Sequence, residues 1–483
     1  MIFKEEGKKK EKHNNFEHRS KIMFPCQFVA SPSSSAVPTL ATSFLWGIRK
    51  PLPPIFFSCP SSSSSSTSLR FSSSLPQQPL RCAVLGAGFA GLSVAWHLLQ
   101  HGSRDLPLLV DIYDEVGIGG GASGVAGGLL HPYSPKVKLL WRAEECWNES
   151  LNLIRIAERA KQSKVLNTER PEAVQSMNFS IIRRRGILRP AVSLKNINIM
   201  DHNAENCLAS CRIESMDKHA AENLVPGLSV PLNVAFHMPE ALNVHSQYYL
   251  EALYLACQNS VAEMLNLGVA PRELNFYKTS VGSLLEFAGE YNAVVICLGA
   301  RAAFLPEFSG ILPLRTCRGV VTHMQLSDNF REEYPQHSPS ILSDAWIAVQ
   351  GPRDLYLGST WEWRSTDYSR NVPTVEASEA LEELLLKGSV IYPAISNWTV
   401  RGAVAGLRAM PPLTPHGSLP ILGCVDNVTG RNHACKYWVF TGLGSRGLFY
   451  HAWLGKLMAQ AVLSRSEHSI PSELLLWKQK MKQ

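Results

Sequence analysis

A glycine-rich stretch behind the first apolar segment of this chain has the spacing of a nucleotide-binding turn. Residues 86–91 read GAGFAG, a G-x-G-x-x-G pattern. The first glycine of such a pattern allows a tight turn, and the second lets a pyrophosphate approach the backbone. The third brings the next helix close to the strand, and the N-terminus of that helix attracts the phosphates. The pattern predicts dinucleotide binding through Gly86, Ala87, Gly88, Phe89, Ala90 and Gly91.

The predicted strands and helix around this turn are those of a nucleotide-binding unit. CAVLG at 82–86 predicts a strand, LSVAWHLLQHG at 92–102 a helix, and LPLLVDIYDE at 106–115 a second strand. Asp114 lies 23 residues after Gly91, where an acid binds a ribose hydroxyl and disfavours a 2′-phosphate. FAD or NAD is therefore favoured over NADP, and the adjacent Glu115 is a second candidate contact.

A second concentration of glycine follows the second predicted strand. Residues 117–128 read GIGGGASGVAGG, with seven glycines and no charge. Glycine loses the most conformational entropy on folding, so crowding it requires positive φ angles or close approach of a ligand. A flexible linker would not lie inside a nucleotide-binding unit. We interpret the stretch as a second backbone cradle, with Ser123 as a polar contact.

Further motifs extend over most of the chain. They are GGGASGVAGGLLHP (119–132), RRRGILRPA (183–191), YNAVVICLGARA (291–302), LRTCRGVV (314–321), YLGSTWEW (356–363), GLRAMPPLTPHGSLPILG (406–423) and TGLGSRGLFYHAWLGKLMAQAV (441–462). Together with GAGFAG they resemble the FAD-dependent amine oxidoreductases of the D-amino-acid oxidase (DAO) family. The ASG loop and GLGSRGL are most similar to the FAD domain of the bifunctional enzyme that makes 5-methylaminomethyl-2-thiouridine in tRNA.

The resemblance implies FAD as cofactor and assigns roles to individual residues. Arg408 stands where the family binds the substrate carboxylate, a task suited to the planar guanidinium. His131 and Tyr133 follow the glycine cradle and are candidate substrate contacts. The amides of GLGSRGL and the dipole of the following helix would stabilise negative charge at the flavin. The implied further cofactor contacts are Gly128, Leu129, Gly299, Gly442, Gly444, Ser445, Arg446, Gly447 and Leu448.

The activity implied by the resemblance is oxidation of the C–N bond of an amine that carries a carboxylate. The leading substrate is the carboxymethylaminomethyl group of a wobble uridine in organellar tRNA, which makes tRNA a candidate partner. A free amino acid such as glycine or sarcosine is the alternative, and a non-catalytic flavoprotein that helps to assemble a complex is a third. Residues 82–483 carry 36 basic and 36 acidic side chains, a balance that gives no support to nucleic-acid binding.

The fold class that we expect is α/β, with a discontinuous Rossmann-like FAD-binding domain and a second, mostly antiparallel α+β domain that binds substrate. The FAD-binding domain is predicted at 80–150, 240–305 and 395–483, and the substrate domain at 151–239 and 306–394. The glycine-rich elements of the first and last pieces are expected to meet around one FAD.

The first 79 residues are predicted to be a disordered targeting segment. No Asp or Glu occurs from Met23 to Arg81, and the stretch is rich in serine and proline. Acid-poor, serine-rich and basic composition is typical of organellar transit peptides, and the serine excess favours the chloroplast over the mitochondrion. Residues 1–22 do not fit this pattern, so we hypothesise that translation begins at Met23.

The remaining patterns point to structural roles. The eleven cysteines include no C-x-x-C pair, which argues against a zinc site or a disulfide framework. The sequence contains no run of 18 apolar residues, so it predicts no transmembrane helix. Arg183, Arg184 and Arg185 are interpreted as a solvated strand edge and Cys317 as a small buried thiol. Trp361 and Trp363 alternate with Glu362, as on a half-buried strand, and are expected to pack in the core.

Overall fold

The computed structural model describes residues 78–166, 180–426 and 435–481. The predicted targeting segment and the hypothesised start at Met23 lie outside these residues, apart from Gln78 and Pro79. No helix in the described part of the chain is long and apolar enough to span a membrane.

The strands are β1 (Leu80–Leu85), β2 (Leu108–Tyr113), β3 (Leu129–Leu130), β4 (Ile182–Arg183), β5 (Ile187–Pro190), β6 (Glu214–Asp217), β7 (Val234–Met238), β8 (Leu242–Val244), β9 (Arg272–Tyr277), β10 (Ala293–Ile296), β11 (Arg315–Leu326), β12 (Ser340–Ile341), β13 (Trp346–Val349), β14 (Asp354–Gly358), β15 (Glu362–Trp363), β16 (Trp398–Met410), β17 (Leu413–Thr414), β18 (Gly417–Ser418), β19 (Ile421–Cys424) and β20 (Lys436–Thr441). The α-helices are α1 (Phe89–His101), α2 (Ala143–Leu166), α3 (Leu194–Glu205), α4 (Lys218–Leu224), α5 (Ser246–Asn266), α6 (Thr374–Gly388) and α7 (Gly447–Ser464).

A six-stranded sheet carries the first nucleotide-binding unit. Its order is β19-β20-β10-β1-β2-β9, and every neighbouring pair is parallel except β19 and β20. The inner strands are apolar almost throughout because both faces of the sheet are covered. The first turn, the second cradle and the GLGSRGL turn follow β1, β2 and β20, so they lie at the carboxyl edge of the sheet, where open α/β sheets bind ligands.

The second sheet has nine strands and its own core. Its path is β15-β11-β14-β13-β12-β5-β7-β6, with β16 paired to β11, and only β5 and β12 are parallel. Leu188, Leu357 and Leu384 are among the side chains of this core. Both sheets agree with the predicted combination of a Rossmann-like domain and a mostly antiparallel domain, so the predicted fold class is confirmed.

One predicted boundary between the domains differs from the strand pairing. Residues 395–483 are predicted to belong to the FAD-binding domain, yet β16 pairs with β11 from Arg315–Met410 to Leu326–Trp398. This long antiparallel ladder assigns residues 398–410 to the second sheet. The chain returns to the first sheet only at β19.

Close packing of two helices brings the two ends of the described chain together. Ser93 in α1 donates its hydroxyl to the carbonyl of His451 in α7 at 2.9 Å. His97 lies 3.1 Å from the carbonyl oxygen of Ala452 through Nε2. Gly455 makes the approach feasible, because a Cβ at this position would overlap the Ser93 side chain. The packing fixes the N-terminus of α7 beside the N-terminus of α1.

Candidate active site

A cavity of about 560 Å³ lies between the carboxyl edge of the first sheet and the face of the second. Most residues that the sequence singles out line it. They are Gly86, Gly88, Phe89, Ala90, Asp114, Glu115, Ser123, Gly128, Leu129, His131, Gly299, Arg408, Gly442, Gly444, Ser445, Arg446, Gly447 and Leu448. Ala87, Gly91 and Tyr133 are the predicted residues outside this lining.

In the turn after β1, Gly86 and Gly91 pack closely against backbone carbonyl groups. Gly86 has a φ of 104°, and a Cβ there would come within 2.5 Å of the Cys297 carbonyl oxygen. Gly91 lies against the Gly86 carbonyl so closely that a Cβ would overlap it. Ala87 is fully buried, and its amide donates to the Asp114 carboxylate at 2.9 Å. Ala87 and Gly91 therefore shape the turn, whereas Gly86 and Gly88 line the cavity.

The two acids after β2 are both engaged by other residues. Asp114 accepts the amide of Ala87 through Oδ2 and the amides of Val116 (3.0 Å) and Gly117 (2.9 Å) through Oδ1. Glu115 forms an ion pair with Arg301. Partial burial alone would raise the pKa of Glu115, but hydrogen bonds and the charge of Arg301 lower it. Asp114 joins the first turn to the glycine-rich loop and keeps its carboxylate at the cavity wall.

Ser123 fastens the glycine-rich loop to the first turn. Its hydroxyl accepts the Phe89 amide at 3.1 Å, and a Cβ on Gly88 would lie 2.8 Å from the same oxygen. Gly128 has a φ of 78° and lies against the Val244 carbonyl, where a Cβ would overlap. The loop is a built element of the cavity wall, as expected from its position inside the nucleotide-binding unit.

The GLGSRGL turn lies next to the first turn, and both line the cavity. The Thr441 hydroxyl donates to the Gly299 carbonyl at 2.8 Å, and the Gly444 amide donates to the Ala409 carbonyl at 2.8 Å. A Cβ on Gly447 would lie 3.1 Å from the Phe89 ring. The N-terminus of α7 therefore opens onto the cavity beside the N-terminus of α1.

Two arginines and a neutral histidine lie at this end of the cavity. Burial lowers the pKa of Arg446 to about 10; Tyr450 opposes this shift and Arg189 adds to it. Burial, then Arg446 and Arg189, lower the pKa of His131 well below its usual value. The His131 Nδ1 accepts the Tyr133 amide at 3.3 Å, so the proton of the neutral ring is on Nε2. Positive charge is thus concentrated here without protonation of His131.

Arg408 lies at the other wall, on the face of the second sheet. Its guanidinium donates to the Thr360 carbonyl at 2.6 Å, to the Cys317 carbonyl at 3.3 Å and to the Ser359 hydroxyl at 3.3 Å. No acidic side chain among the described residues forms an ion pair with it. Burial lowers the pKa of Arg408, an effect that Cys317 opposes. A cation held by neutral groups beside a cavity is suited to an anionic ligand.

Gly319 and Trp361 shape the surroundings of that guanidinium. A Cβ on Gly319 would overlap Nη2 of Arg408, so the glycine of the R-G-x-V stretch provides space for it. The Arg408 guanidinium carbon lies 4.1 Å from the centre of the Trp361 ring. Trp361 lines the cavity and was not predicted as a site residue.

The expectation of core packing for Trp361 and Trp363 is wrong. Their side chains are 43% and 46% exposed. Trp361 precedes the two-residue strand β15, and β15 pairs with β11 alone among the described strands, so the Trp363 ring has no further strand to pack against.

Tyr133, expected to contact substrate, instead packs away from the cavity. Its side chain is 1% exposed, and its hydroxyl bonds to the Cys211 carbonyl and accepts the Leu208 amide at 3.1 Å. These two hydrogen bonds hold Tyr133 outside the lining, whereas His131 lines the cavity. Cys317 is fully buried, as expected.

Other lining residues were missed by sequence reasoning. Arg189 lines the cavity, and its only local signal is that it interrupts the apolar run ILRPA. Trp346 packs where Gly127 and Gly358 leave space, since a Cβ at either glycine would lie 2.5 Å from the indole. Arg301 lies 4.9 Å over the ring of Tyr368, and both line the cavity. These contacts join residues that are distant in the chain.

The cavity fits a dinucleotide with a carboxylate beside it. One end has the close backbone approach at Gly88 and two helix N-termini, which suit a pyrophosphate. The acid Asp114 lies on the same wall, where a ribose would be held. The wall formed by the second sheet has Arg408, which forms no ion pair with an acidic side chain of the described residues. We conclude that the residues present fit FAD and a small anionic group together.

Comparisons with known proteins agree with this geometry. The profile of the DAO family, described as FAD dependent oxidoreductase, matches residues 81–461. The oxidoreductase YurR of Bacillus subtilis is 23% identical over 388 residues, which are 79% of this chain and 94% of YurR. ThiO of Rhizobium etli, a thiamine biosynthesis oxidoreductase, is 49% identical over 55 residues, 11% of this chain and only 15% of ThiO.

Two solved structures share the fold. Glycine oxidase from Geobacillus kaustophilus superposes with a TM-score of 0.60 at 18% identity, covering 80% of this chain and 96% of the oxidase. Iminodiacetate oxidase from Chelativorans superposes with a TM-score of 0.55 at 20% identity, covering 81% of this chain and 98% of the oxidase.

Proposed function

This chain belongs to the DAO family of FAD-dependent oxidoreductases, and we propose that it oxidises the C–N bond of an amine whose carboxylate is held by Arg408. The family match makes it an FAD-dependent oxidoreductase. The observation that carries the proposed substrate class is the Arg408 guanidinium, which lines the cavity and has no acidic partner among the described residues. The guanidinium also donates to the Arg318 carbonyl at 3.4 Å, so four of its five N–H groups are engaged and one on Nη1 is left for a carboxylate oxygen.

The chain contributes binding, orientation and electrostatics. FAD, when bound, supplies the acceptor for the hydride of the substrate. Gly88, Asp114 and Ser123 hold the dinucleotide end of the cavity, and Arg408 fixes the carboxylate. Arg189, Arg446 and the N-terminus of α7 stabilise negative charge that develops nearby. Because His131 stays neutral, it adds no positive charge to that of Arg189 and Arg446. Its Nε2 can donate a hydrogen bond.

The finer proposal is that the amine is the carboxymethylaminomethyl arm of a wobble uridine in organellar tRNA. Oxidation removes two electrons and two protons from the N–CH2 unit of that arm. Water then cleaves the imine, so the aminomethyl group stays on the base and glyoxylate leaves. The likeness of the ASG and GLGSRGL loops to the tRNA-modifying branch supports this proposal. Iminodiacetate, named for one structural neighbour, is also a secondary amine with carboxymethyl arms.

A free amino acid such as glycine or sarcosine is the second candidate substrate. The likeness to glycine oxidase favours it, and the carboxylate would again bind Arg408. The two candidates differ in size, so the part of the substrate beyond the amine distinguishes them.

We further propose that the mature protein works in the chloroplast, with the mitochondrion as the alternative. The support is the acid-poor, serine-rich composition between Met23 and Arg81. Fusion of residues 23–81 to a fluorescent protein tests this, with residues 1–22 alone as the control. Import of the first fusion only is the expected result.

The decisive experiment for the substrate is nucleoside analysis of organellar tRNA from a knockout. Accumulation of carboxymethylaminomethyl-uridine, reversed by the wild-type gene but not by an Arg408→Gln variant, is expected. An unchanged nucleoside profile would reject the tRNA substrate. Rapid oxidation of glycine or sarcosine by the purified holoenzyme would then favour the second candidate.

A further inference from the structure

Two exposed tryptophans lie next to the cavity and take part in no core. Trp361 and Trp363 are 43% and 46% exposed, and their ring centroids are 5.8 Å apart at an interplanar angle of 29°. Glu362 lies between them and points to the opposite face of the strand. Large aromatic rings exposed side by side are unusual on a protein surface unless they bind something.

An arginine flanks each tryptophan. The guanidinium carbon of Arg408 lies 4.1 Å from the Trp361 ring, and that of Arg315 lies 5.0 Å from the Trp363 ring. The series Arg408, Trp361, Trp363, Arg315 is named the aromatic ladder below. No acidic side chain of the described residues forms an ion pair with either arginine. The ladder therefore presents two partly exposed rings, packed against each other and against two cations, beside the cavity.

Strand register places the whole ladder on one face. Cys317 pairs with both Arg408 and Trp363, so these side chains point the same way. Arg315 and Trp361 each lie two residues from members of this set and share the face. The carboxylate-binding end of the ladder is in the cavity, because Arg408 and Trp361 line it. Arg315 is exposed at the other end.

We propose that the aromatic ladder binds single-stranded RNA next to the cavity, with bases packed against the exposed parts of Trp361 and Trp363 and a phosphate at Arg315. The inference rests on the proposed tRNA substrate. Base stacking on aromatic side chains is the common way to hold unpaired nucleotides, and arginine supplies both phosphate contacts and cation–π contacts. Glycine and sarcosine have no planar ring, so a free amino acid would leave the outer half of the ladder unused.

The test measures RNA affinity of the FAD-loaded protein. The probe is a fluorescently labelled anticodon stem–loop with an unmodified wobble uridine, followed by fluorescence anisotropy over a range of salt concentrations. Trp363→Leu removes a ring and Arg315→Gln a charge, both at exposed positions. Phe330→Leu and Arg331→Gln are the matched controls, because these exposed residues follow the other end of β11. Flavin absorbance verifies the folding of every variant.

Trp363→Leu is expected to weaken RNA binding about tenfold. Arg315→Gln is expected to lower the slope of log Kd against log salt by about 0.7. Trp363→Phe, which keeps an aromatic face, should retain most of the affinity. The controls should bind like the wild type.

The inference is overturned if Trp363→Leu and Arg315→Gln bind RNA as tightly as their controls, or if the wild-type protein shows no affinity for the probe. A separate experiment keeps the proposed function distinguishable. If the holoenzyme binds the stem–loop through the ladder but leaves a carboxymethylaminomethyl arm intact, the proposed reaction fails while the ladder stands.

Discussion

Gly319 leaves the space that the guanidinium of Arg408 occupies. The two residues lie on the paired strands β11 and β16, and a Cβ on Gly319 would overlap Nη2. The absence of a side chain at one position thus determines where a cation stands at another.

Gly319→Ala is therefore expected to displace Arg408 and weaken carboxylate binding. Loss of a charge-assisted hydrogen bond costs about 1.5–3 kcal/mol, so kcat/KM for the amine substrate should fall about 10- to 100-fold, mainly through KM. Steady-state kinetics on the holoenzyme measure this. Gly402→Ala is the control, because a Cβ at that position of β16 meets nothing within 4 Å. Equal kinetics for the two variants would contradict the prediction.

Removal of the Arg408 charge tests the substrate class more directly. Arg408→Gln should lower kcat/KM by about 100-fold or more, and Arg408→Lys should recover only part of it, because lysine lacks the planar fork. FAD content, read from visible absorbance, should stay near the wild-type value in both. A variant that oxidises the amine substrate like the wild type would exclude Arg408 as the carboxylate ligand. A variant that keeps its role in the cell although it no longer oxidises the amine would favour an assembly function.

Gly88→Val should weaken FAD binding. The side chain would meet Ser123 Oγ, which lies 2.8 Å from a Cβ at this position, and would occupy the space through which the pyrophosphate approaches the backbone. We expect FAD affinity to fall at least about tenfold, measured by equilibrium binding to the apoprotein. Gly351→Ala is the control, since a Cβ there has no neighbour within 4 Å. Retention of the flavin by Gly88→Val would argue against the assigned cradle.

Buried histidines should make the fold sensitive to mild acid. Burial lowers the pKa of His451 to about 4, although hydrogen bonds with the Leu448 and Gly447 backbone oppose this. The unfolded chain has the ordinary value near 6.5, so it takes up protons first as pH falls. Above about pH 6.5 the burial of His451 costs no free energy of protonation. As pH falls from 6.5 toward 4, the free energy of unfolding decreases by about 1 kcal/mol per pH unit.

Urea unfolding at several pH values measures this effect. His451→Gln should show a shallower loss of unfolding free energy below pH 6.5 than the wild type. His219→Gln, at an exposed position of α4, is the matched control. Burial lowers the pKa values of His97 to about 3 and of His245 to about 4 as well, so the wild-type slope should exceed that of one group. Identical slopes for His451→Gln and the wild type would contradict the assignment.

Local pattern was sufficient where a site depends on one strand–turn–helix unit. The turn at 86–91 and the acid at Asp114 could be predicted because they belong to one continuous strand–turn–helix–strand unit. Within such a unit the number of residues between two positions determines where they lie in the fold. The same holds for the GLGSRGL turn, which lies directly between β20 and α7. Arg408 required the family resemblance, because a single arginine in an apolar strand has no distinctive local pattern.

Predictions failed where a side chain's surroundings come from remote strands. Alternation with Glu362 led to the prediction that Trp361 and Trp363 pack in the core, but both side chains are exposed. Tyr133 shares the neighbourhood of His131 in sequence, yet its hydroxyl bonds near Cys211 and Leu208. Arg189 reaches the cavity only because β5 lies in the same sheet as β13 and β14.

The sequence by itself determined the dinucleotide-binding turn, its strand–helix context and the family, because these depend on short-range glycine geometry and on motifs preserved in order. Tertiary structure alone decided which wall each residue faces. Cross-strand pairing of β11 with β15 and β16 placed Arg408, Trp361, Trp363 and Arg315 on one face. Such pairing joins residues about 50 to 90 positions apart, a distance at which periodicity carries no information on which strand becomes the neighbour.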